Sequence, residues 1–315
     1  MAFSFKYFLR GPSVTEERDW ERENIRQKTD RYLATNPMDR FETDDSYRTK
    51  VLTVDKHLQG VDGLVLDLGG NTAGEATILQ QRGFDLVVAD INEYALDVSR
   101  QRIEKFGLRS PQFVALDAHH LPFRDGVFAA VTVLEALHHF SDYHQALTEI
   151  HRVLAPGGRL FSIEPNALNP LRRASEVRDR LRGTIEKSFT PNQLIELCRR
   201  AGFARTEIEP FANHRSNWKL QELPPWRRPI AQLHGTLCAN FPTVFAALAI
   251  EARKAGDAGP VRKAPLAEIL QSPLSGKPLR FDAGQWIDDD RKVAFSEQSG
   301  VPVLIPGEES PLKET

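Results

Sequence analysis

The chain of 315 residues has only two cysteines, Cys198 and Cys238. Two thiols build neither a disulfide framework nor a cysteine-rich zinc site, so a reducing, cytoplasmic setting without a bound metal is expected. It also lacks any run of 18 apolar residues, which excludes a predicted membrane-spanning helix. The mildly apolar start is interrupted by Lys6 and Arg10, against a signal peptide. An excess of charge is missing as well: 41 Lys and Arg face 43 Asp and Glu, for a net charge of −2. No global field therefore recruits nucleic acid or an anionic membrane. What remains, 41% hydrophobic and 27% charged residues, is the composition of an ordinary globular protein.

Residues 1–60 are rich in both charges and poor in apolar residues, with helical patterns from Glu16 to Tyr32 and from Ser46 to Leu58. From residue 61 short β-rich runs alternate with helical patterns. Strands are predicted at 64–67, 85–90, 112–116, 128–134 and 159–163, with helices between them. A helix from Pro191 to Ala201, capped by Thr190, precedes two further strands at 205–210 and 243–252. The segment 255–262 reads as a linker, and 263–315 as a small β-rich domain. The predicted class is α/β: a Rossmann-like seven-stranded sheet with helices on both faces, spanning 61–254, plus that small tail. In such sheets ligands bind at the carboxyl ends of the strands.

Val65-Leu-Asp-Leu-Gly-Gly-Asn-Thr-Ala-Gly74 joins the first strand to its helix. Glycines there let a ligand approach the backbone, and Asp67 at the strand end can accept hydrogen bonds. Asp90 closes the second strand where a carboxylate would grip two ribose hydroxyls. A dinucleotide and S-adenosylmethionine both fit so far. Asn71 stands where a pyrophosphate needs glycine, and Asp67 would repel a phosphate but suit an ammonium group, so electrostatics favour S-adenosylmethionine.

From about 45 to 254 the sequence resembles the class I S-adenosylmethionine-dependent methyltransferases acting on small molecules. The resemblance rests on Asp67-Leu-Gly-Gly-Asn71, Asp90, Leu116-Asp-Ala118, Leu121 to Phe128, Leu134 to Phe140, Glu149 to Gly158, Ser188 to Pro191 and Ala201-Gly-Phe203. It implies a cofactor site of Asp67, Gly69, Gly70, Asn71, Asp90, Ile91, Asp117, Ala118 and Leu134. The family usually has glycine where Asn71 and Ala73 stand, and aspartate at Ala129. Gly74 is expected to take up the conformational demand one position later.

The tail, with Ser272-Pro-Leu-Ser275 and Ser299 to Leu304, resembles the zinc-ribbon-like Trm112 type. Serines replace that family's cysteines, and neutral hydroxyls are poor zinc ligands, so a metal-free domain is expected. Stand-alone relatives activate methyltransferases, which implies that a fused copy braces the catalytic domain or helps it form a homodimer.

A sulfonium methyl is already activated, so catalysis asks mainly for in-line positioning and removal of at most one proton. His138 and His139, just past the fourth strand, are candidate bases, with Glu135 and Glu164 as rivals. The arginines at 172, 173, 178, 180 and 182 read as a solvated helix face or a lid for an anionic acceptor. Trp218 and Trp226 are expected to cover the core or stack on substrate. No Asn/Asp-Pro-Pro-Tyr/Phe turn follows the fourth strand, which favours an oxygen or carbon acceptor over a planar amine. The leading expectation is a methyltransferase for a small molecule. A methyltransferase for RNA or protein with a fused helper, and a non-catalytic binding or scaffold protein on the same fold, are the alternatives.

Overall fold

A computed structural model describes residues 14–181, 187–211 and 224–312, with the side chains of 14–17, 178–181 and 227 left aside. Trp218 and Arg182 lie outside the described residues, as do the side chains of Arg178 and Arg180.

The hydrophobic alternation that separates strands from helices produces the expected succession. Strands β1 (Leu64–Leu68), β2 (Asp85–Asp90), β3 (Gln112–Leu116), β4 (Phe128–Leu134) and β5 (Leu154–Glu164) are parallel, and β6 (Arg205–Phe211) and β7 (Ala247–Arg253) pair antiparallel at one edge. Their order is β6-β7-β5-β4-β1-β2-β3. Strands buried on both sides read as continuous apolar runs rather than alternations, and β1 is buried at all five positions. One face carries the helices Asp45–Leu58, Gly74–Gln81 and Glu93–Lys105, and the other Tyr143–Val153 and Pro191–Arg200, each over its own core cluster.

Helix starts follow local chemistry. Asn92 accepts from the amide of Ala95 at 3.3 Å, and Asp142 from that of Gln145 at 3.0 Å. Thr190 and Gln193 form a reciprocal capping box. The amino-terminal pattern breaks in two: helices Val14–Arg26 and Thr29–Ala34 flank a turn. They are not wholly solvated, because Ile25, Tyr32 and Leu33 pack on Tyr94, Ala95 and Val98 of the helix Glu93–Lys105. A further helix, Pro37–Thr43, which the sequence reading did not include, follows with Asn36 as its cap. Trp226 is 66% exposed and covers no core.

The tail adds to the main sheet. After β8 (Arg280–Asp282), β9 (Gln285–Asp288) and β10 (Val293–Gln298), strand β11 (Val301–Leu304) pairs parallel with β3, Val303 opposite Ala115 and Leu304 opposite Leu116. The predicted seven-stranded sheet therefore continues through an eighth strand into the antiparallel hairpins of the tail, where β12 (Ser310–Pro311) pairs with β10. Trp286, Phe295 and Leu304 join the same cluster as Leu66 and Phe123. This arrangement removes the exposed edge of β3, a liability for aggregation.

A continuous sheet predicts one cooperative unit. Phe295 is fully buried, so Phe295→Ala should cost about 3–5 kcal/mol. Calorimetric unfolding should keep a single transition, shifted down as a whole; a separate tail transition above an unchanged main one would disprove the coupling.

Candidate functional site

Strands β1 and β4 are neighbours, yet the chain leaves them toward opposite edges, so their carboxyl ends open a crevice. The loops after them nearly touch. Gly69 has φ 77°, and a Cβ there would lie 2.5 Å from that of Ala136. Gly70 is equally tight, against Val88 at 2.5 Å and Asp67 Oδ2 at 2.9 Å. Both glycines are required by space, and Gly69 by conformation as well.

The expected relief at Gly74 does not occur. Asn71 and Ala73 themselves adopt left-handed φ values of 46° and 49°. Such a residue costs about 1–3 kcal/mol and persists only where its surroundings hold it. Here they do: the Asn71 amide donates to Asp90 Oδ2 at 2.8 Å, and the Ala73 amide to the Gly70 carbonyl at 2.7 Å. Gly74 instead opens the helix Gly74–Gln81 and leaves room for the Tyr47 hydroxyl, 2.9 Å from where its Cβ would stand.

Beneath the loop, Asp67 is buried and accepts from Thr132 Oγ1 at 2.7 Å. Burial pushes its carboxyl up to about 7, the Thr132 hydrogen bond opposing and Glu75 adding to the rise. Asp90, also buried, accepts from the amides of Asn71 and, through Oδ1, Asn92 at 2.9 Å. Burial raises its carboxyl too, against those backbone donors. A carboxylate has about four acceptor sites. The amides of Asn71, Asn92 and Ile91 take up part of this capacity, and the rest is left for a ribose hydroxyl. Asp117 accepts from the His119 ring at 2.6 Å, and the Asp142 amide donates to the other ring nitrogen at 3.1 Å, which assigns the His119 proton to Nδ1. Against burial, His119 holds the Asp117 carboxyl below the usual range.

A cavity of about 300 Å³ sits on this crevice, walled by Gly69, Asn71, Asp90, Ile91, Asp117, Ala118 and Leu134, all named from the sequence. Asp67 lies under its floor, and Gly70 faces a neighbouring cleft instead. Glu135 and His139 reach the cavity. His138 and Glu164 do not. They are buried against each other, 2.7 Å apart, and Glu164 accepts the Leu137 amide at 3.0 Å, fixing the turn that carries His139. Glu135 has φ 57° and holds Lys50 at 2.8 Å, with Glu75 on the same ammonium at 2.8 Å. Burial alone would lower the Lys50 ammonium, but Glu75 and then Glu135 hold it above its usual value.

Sequence reasoning missed Glu21, Lys50 and His119. Glu21 and Lys50 come from helices before the first strand, whose position over the crevice no local pattern announces. His119 had a signal, an imidazole two residues after Asp117. Arg172 and Arg173 lie near Glu176 on their own helix, at 3.8 and 2.6 Å, and line neither space. Among the described residues no group of three or more His, Cys, Asp or Glu is placed to hold a metal ion, and no helix is long and apolar enough to cross a membrane.

Residues 66–162 match a family model described as a methyltransferase domain. The matched segment is about a third of the chain. It runs from β1 through β5 and carries most of the cavity wall. The demethylmenaquinone methyltransferase of Thermus thermophilus is 39% identical over 136 residues, covering 42% of this chain and 60% of that protein. The ubiquinone/menaquinone biosynthesis C-methyltransferase of Haemophilus ducreyi is 38% identical over 105 residues, 32% of this chain and 40% of that one. The chain thus spans about 40% to 60% of the length of these curated relatives. Among solved structures, an S-adenosylmethionine-dependent methyltransferase from Thermotoga maritima has a TM-score of 0.51 at 18% identity, covering 75% of this chain and 99% of that one. A chain from the complex of the Haloferax volcanii Trm112 methyltransferase activator with a methyltransferase gives 0.53 at 17% identity, covering 72% and 98%. These two likenesses show the fold.

The ligand expected from the sequence is S-adenosylmethionine. The donor set fits it. Asp90 has acceptor capacity for a ribose, and the buried acids under the loop favour a cation over a phosphate.

The raised Asp67 carboxyl gives a pH signature. Its folded-state value, about 7, lies above the ordinary unfolded value of about 3.9. The stability it contributes is complete below pH ~4 and lost as pH rises through 7. Asp67→Asn should therefore gain in melting temperature relative to the parent between pH 5 and 8. A parallel course of the two melting curves over that range would contradict the buried acid.

Proposed function

We propose that this protein moves a methyl group from S-adenosylmethionine to an oxygen or carbon of a small-molecule acceptor. The observation that carries the reading is the pinned Asp90 carboxylate beside the left-handed Asn71, with Glu135 and His139 across the same cavity. Asp90 would hold the ribose hydroxyls, while Ile91, Ala118 and Asp117 flank the adenine. Asp67 supports the loop and places negative charge beneath the ammonium. When bound, S-adenosylmethionine supplies a sulfonium-activated methyl group.

The protein's remaining task is to orient the acceptor and manage one proton. His139 reaches the cavity and an imidazole accepts protons near neutral pH. Glu135, clamped to Lys50, is better suited to fixing charge at the cavity edge than to accepting a proton. His138 and Glu164 position His139 through the turn they share. The Haemophilus ducreyi relative is named a ubiquinone/menaquinone biosynthesis C-methyltransferase, which supports carbon as the acceptor atom. The tail reads as a metal-free Trm112-like brace: where a ribbon would hold zinc, buried Asp288 faces Ser272, the Arg291 amide and Ser275, which hold its carboxyl low against burial. A homodimer and a cytoplasmic location belong to the same reading.

Calorimetric titration with S-adenosylmethionine and S-adenosylhomocysteine tests it. Micromolar binding is expected. Asp90→Ala should weaken it about 100-fold, the loss of hydrogen bonds to a charged group at about 1.5–3 kcal/mol each. A folded protein that binds neither compound would eliminate the methyltransferase reading in favour of a scaffold.

A further inference from the structure

Beside the cofactor cavity lies a larger cleft of about 1210 Å³ between the amino-terminal helices and the glycine loop. The two spaces share Gly69, Asn71, Leu134 and Glu135, so a molecule in the cleft can present an atom to the cavity. The cleft walls are charged, and their acids are mostly committed. Glu75 and Glu135 hold Lys50. Asp44 caps the Tyr47 amide at 3.0 Å and lies 3.6 Å from Arg40, and Asp45 pairs with Arg48. Asp39 stands on the exposed rim.

The cations are not similarly committed. Arg102 is 6% exposed, and its only hydrogen bond among the described residues runs from Nη2 to the Thr72 carbonyl at 2.7 Å. Its Nε is buried without a partner. No carboxylate lies within 4 Å of Arg102, Arg31 or Lys28 among the described residues, and all three line the cleft. Arg40 stacks over the Tyr47 ring at 4.1 Å and adds a like charge near Arg102. Glu75 attracts the Arg102 guanidinium through space without forming an ion pair with it, and a buried guanidinium without a paired carboxylate is costly. Its planar fork is also the group best matched to a carboxylate or phosphate.

We propose that this cleft seats the methyl acceptor and that the acceptor carries a carboxylate or phosphate group, received by Arg102 at the wall with Arg31 and Lys28 at the mouth. The inference rests on the methyltransferase reading above and names the substrate class that reading leaves open. The anion sits on the cationic side of the loop, away from Asp67 and Asp90, and the reacting atom lies toward Glu135 and Leu134. A carboxylate could also come from the cofactor's own methionine end, so the test must separate the two sources.

The full chain, loaded with S-adenosylhomocysteine, is titrated with inorganic phosphate and with benzoate at constant ionic strength, chloride serving as reference. Phosphate or benzoate should bind at millimolar concentration without displacing S-adenosylhomocysteine. Arg102→Gln should weaken that binding at least tenfold and Arg31→Glu at least threefold, with S-adenosylhomocysteine affinity within twofold of the parent in both. Arg205→Gln, on the far edge strand, should change nothing. Should Arg102→Gln fail to fold, the exposed Arg31→Glu carries the test. Anions binding no better than chloride to the loaded protein overturn the proposal and leave the cofactor reading intact. Competition between phosphate and S-adenosylhomocysteine, with Arg102→Gln weakening the latter, also overturns it, because the anion is then the cofactor's carboxylate. Failure of the parent to bind S-adenosylhomocysteine at all removes the methyltransferase reading, and this proposal with it.

Discussion

Two carboxylates buried at the ends of neighbouring strands, Asp67 and Asp90, set the conditions for everything above them. Among the described residues neither has a cation of the protein on its own oxygens. Thr132 satisfies one, and the amides of Asn71, Asn92 and Ile91 the other. Burying acid in this way raises the proton affinity of both and leaves negative potential under the glycine loop. A pyrophosphate would meet that potential unfavourably, whereas an ammonium and a sulfonium relieve it. The same hydrogen bond that satisfies Asp90 holds Asn71 in its left-handed conformation. The loop's strain and the site's electrostatics are thus one arrangement.

That dependence explains why the loop works without two of the expected glycines. The chain could have shifted the turn toward Gly74, but the Gly74 position is already committed to the Tyr47 hydroxyl. Asn tolerates a positive φ better than most residues, and Ala73, fully buried, gains packing from its methyl against the helix Asp45–Leu58 side of the core. The strained positions are the ones with the most surrounding support, while Gly69 and Gly70 stay glycine because Ala136 and Val88 leave no room.

The parallel strands and their ligand-bearing ends were legible because burial on both faces writes continuous apolar runs, and because Asp67 and Asp90 interrupt those runs at their last residues. The limits of β2, β3 and β4 agree with the structure residue for residue. Less legible were features made by distant segments. Strand β11 looks like a hairpin partner in the tail, and only the unsatisfied edge of β3 gives it a parallel neighbour. His138 and His139 were both candidate bases, and although their ring centroids are only 4.2 Å apart, one ring is buried on Glu164 and the other reaches the cavity. Lys50 was invisible because its meaning lies in Glu75 and Glu135, 25 and 85 residues away in sequence.

Electrostatics divide the site into two unlike chambers with the glycine loop as partition. On the strand side, Asp67, Asp90 and Asp117 supply acceptors and no side-chain cation, which suits hydroxyls, an exocyclic amine and a cationic sulfur. On the helix side, Lys50 holds the two acids nearest the boundary, and Arg102, which Glu75 attracts through space, hydrogen-bonds only backbone among the described residues. Had Lys50 been apolar, Glu75 and Glu135 would lose their shared ammonium, and the field around Arg102 would be more negative and less inviting to an anion. The ammonium clamp therefore does more than satisfy two carboxylates. It keeps the field around a guanidinium on the far side of the loop inviting to an anion, and that separation of sign is what allows a cationic donor and an anionic acceptor to lie side by side without pairing in the wrong register.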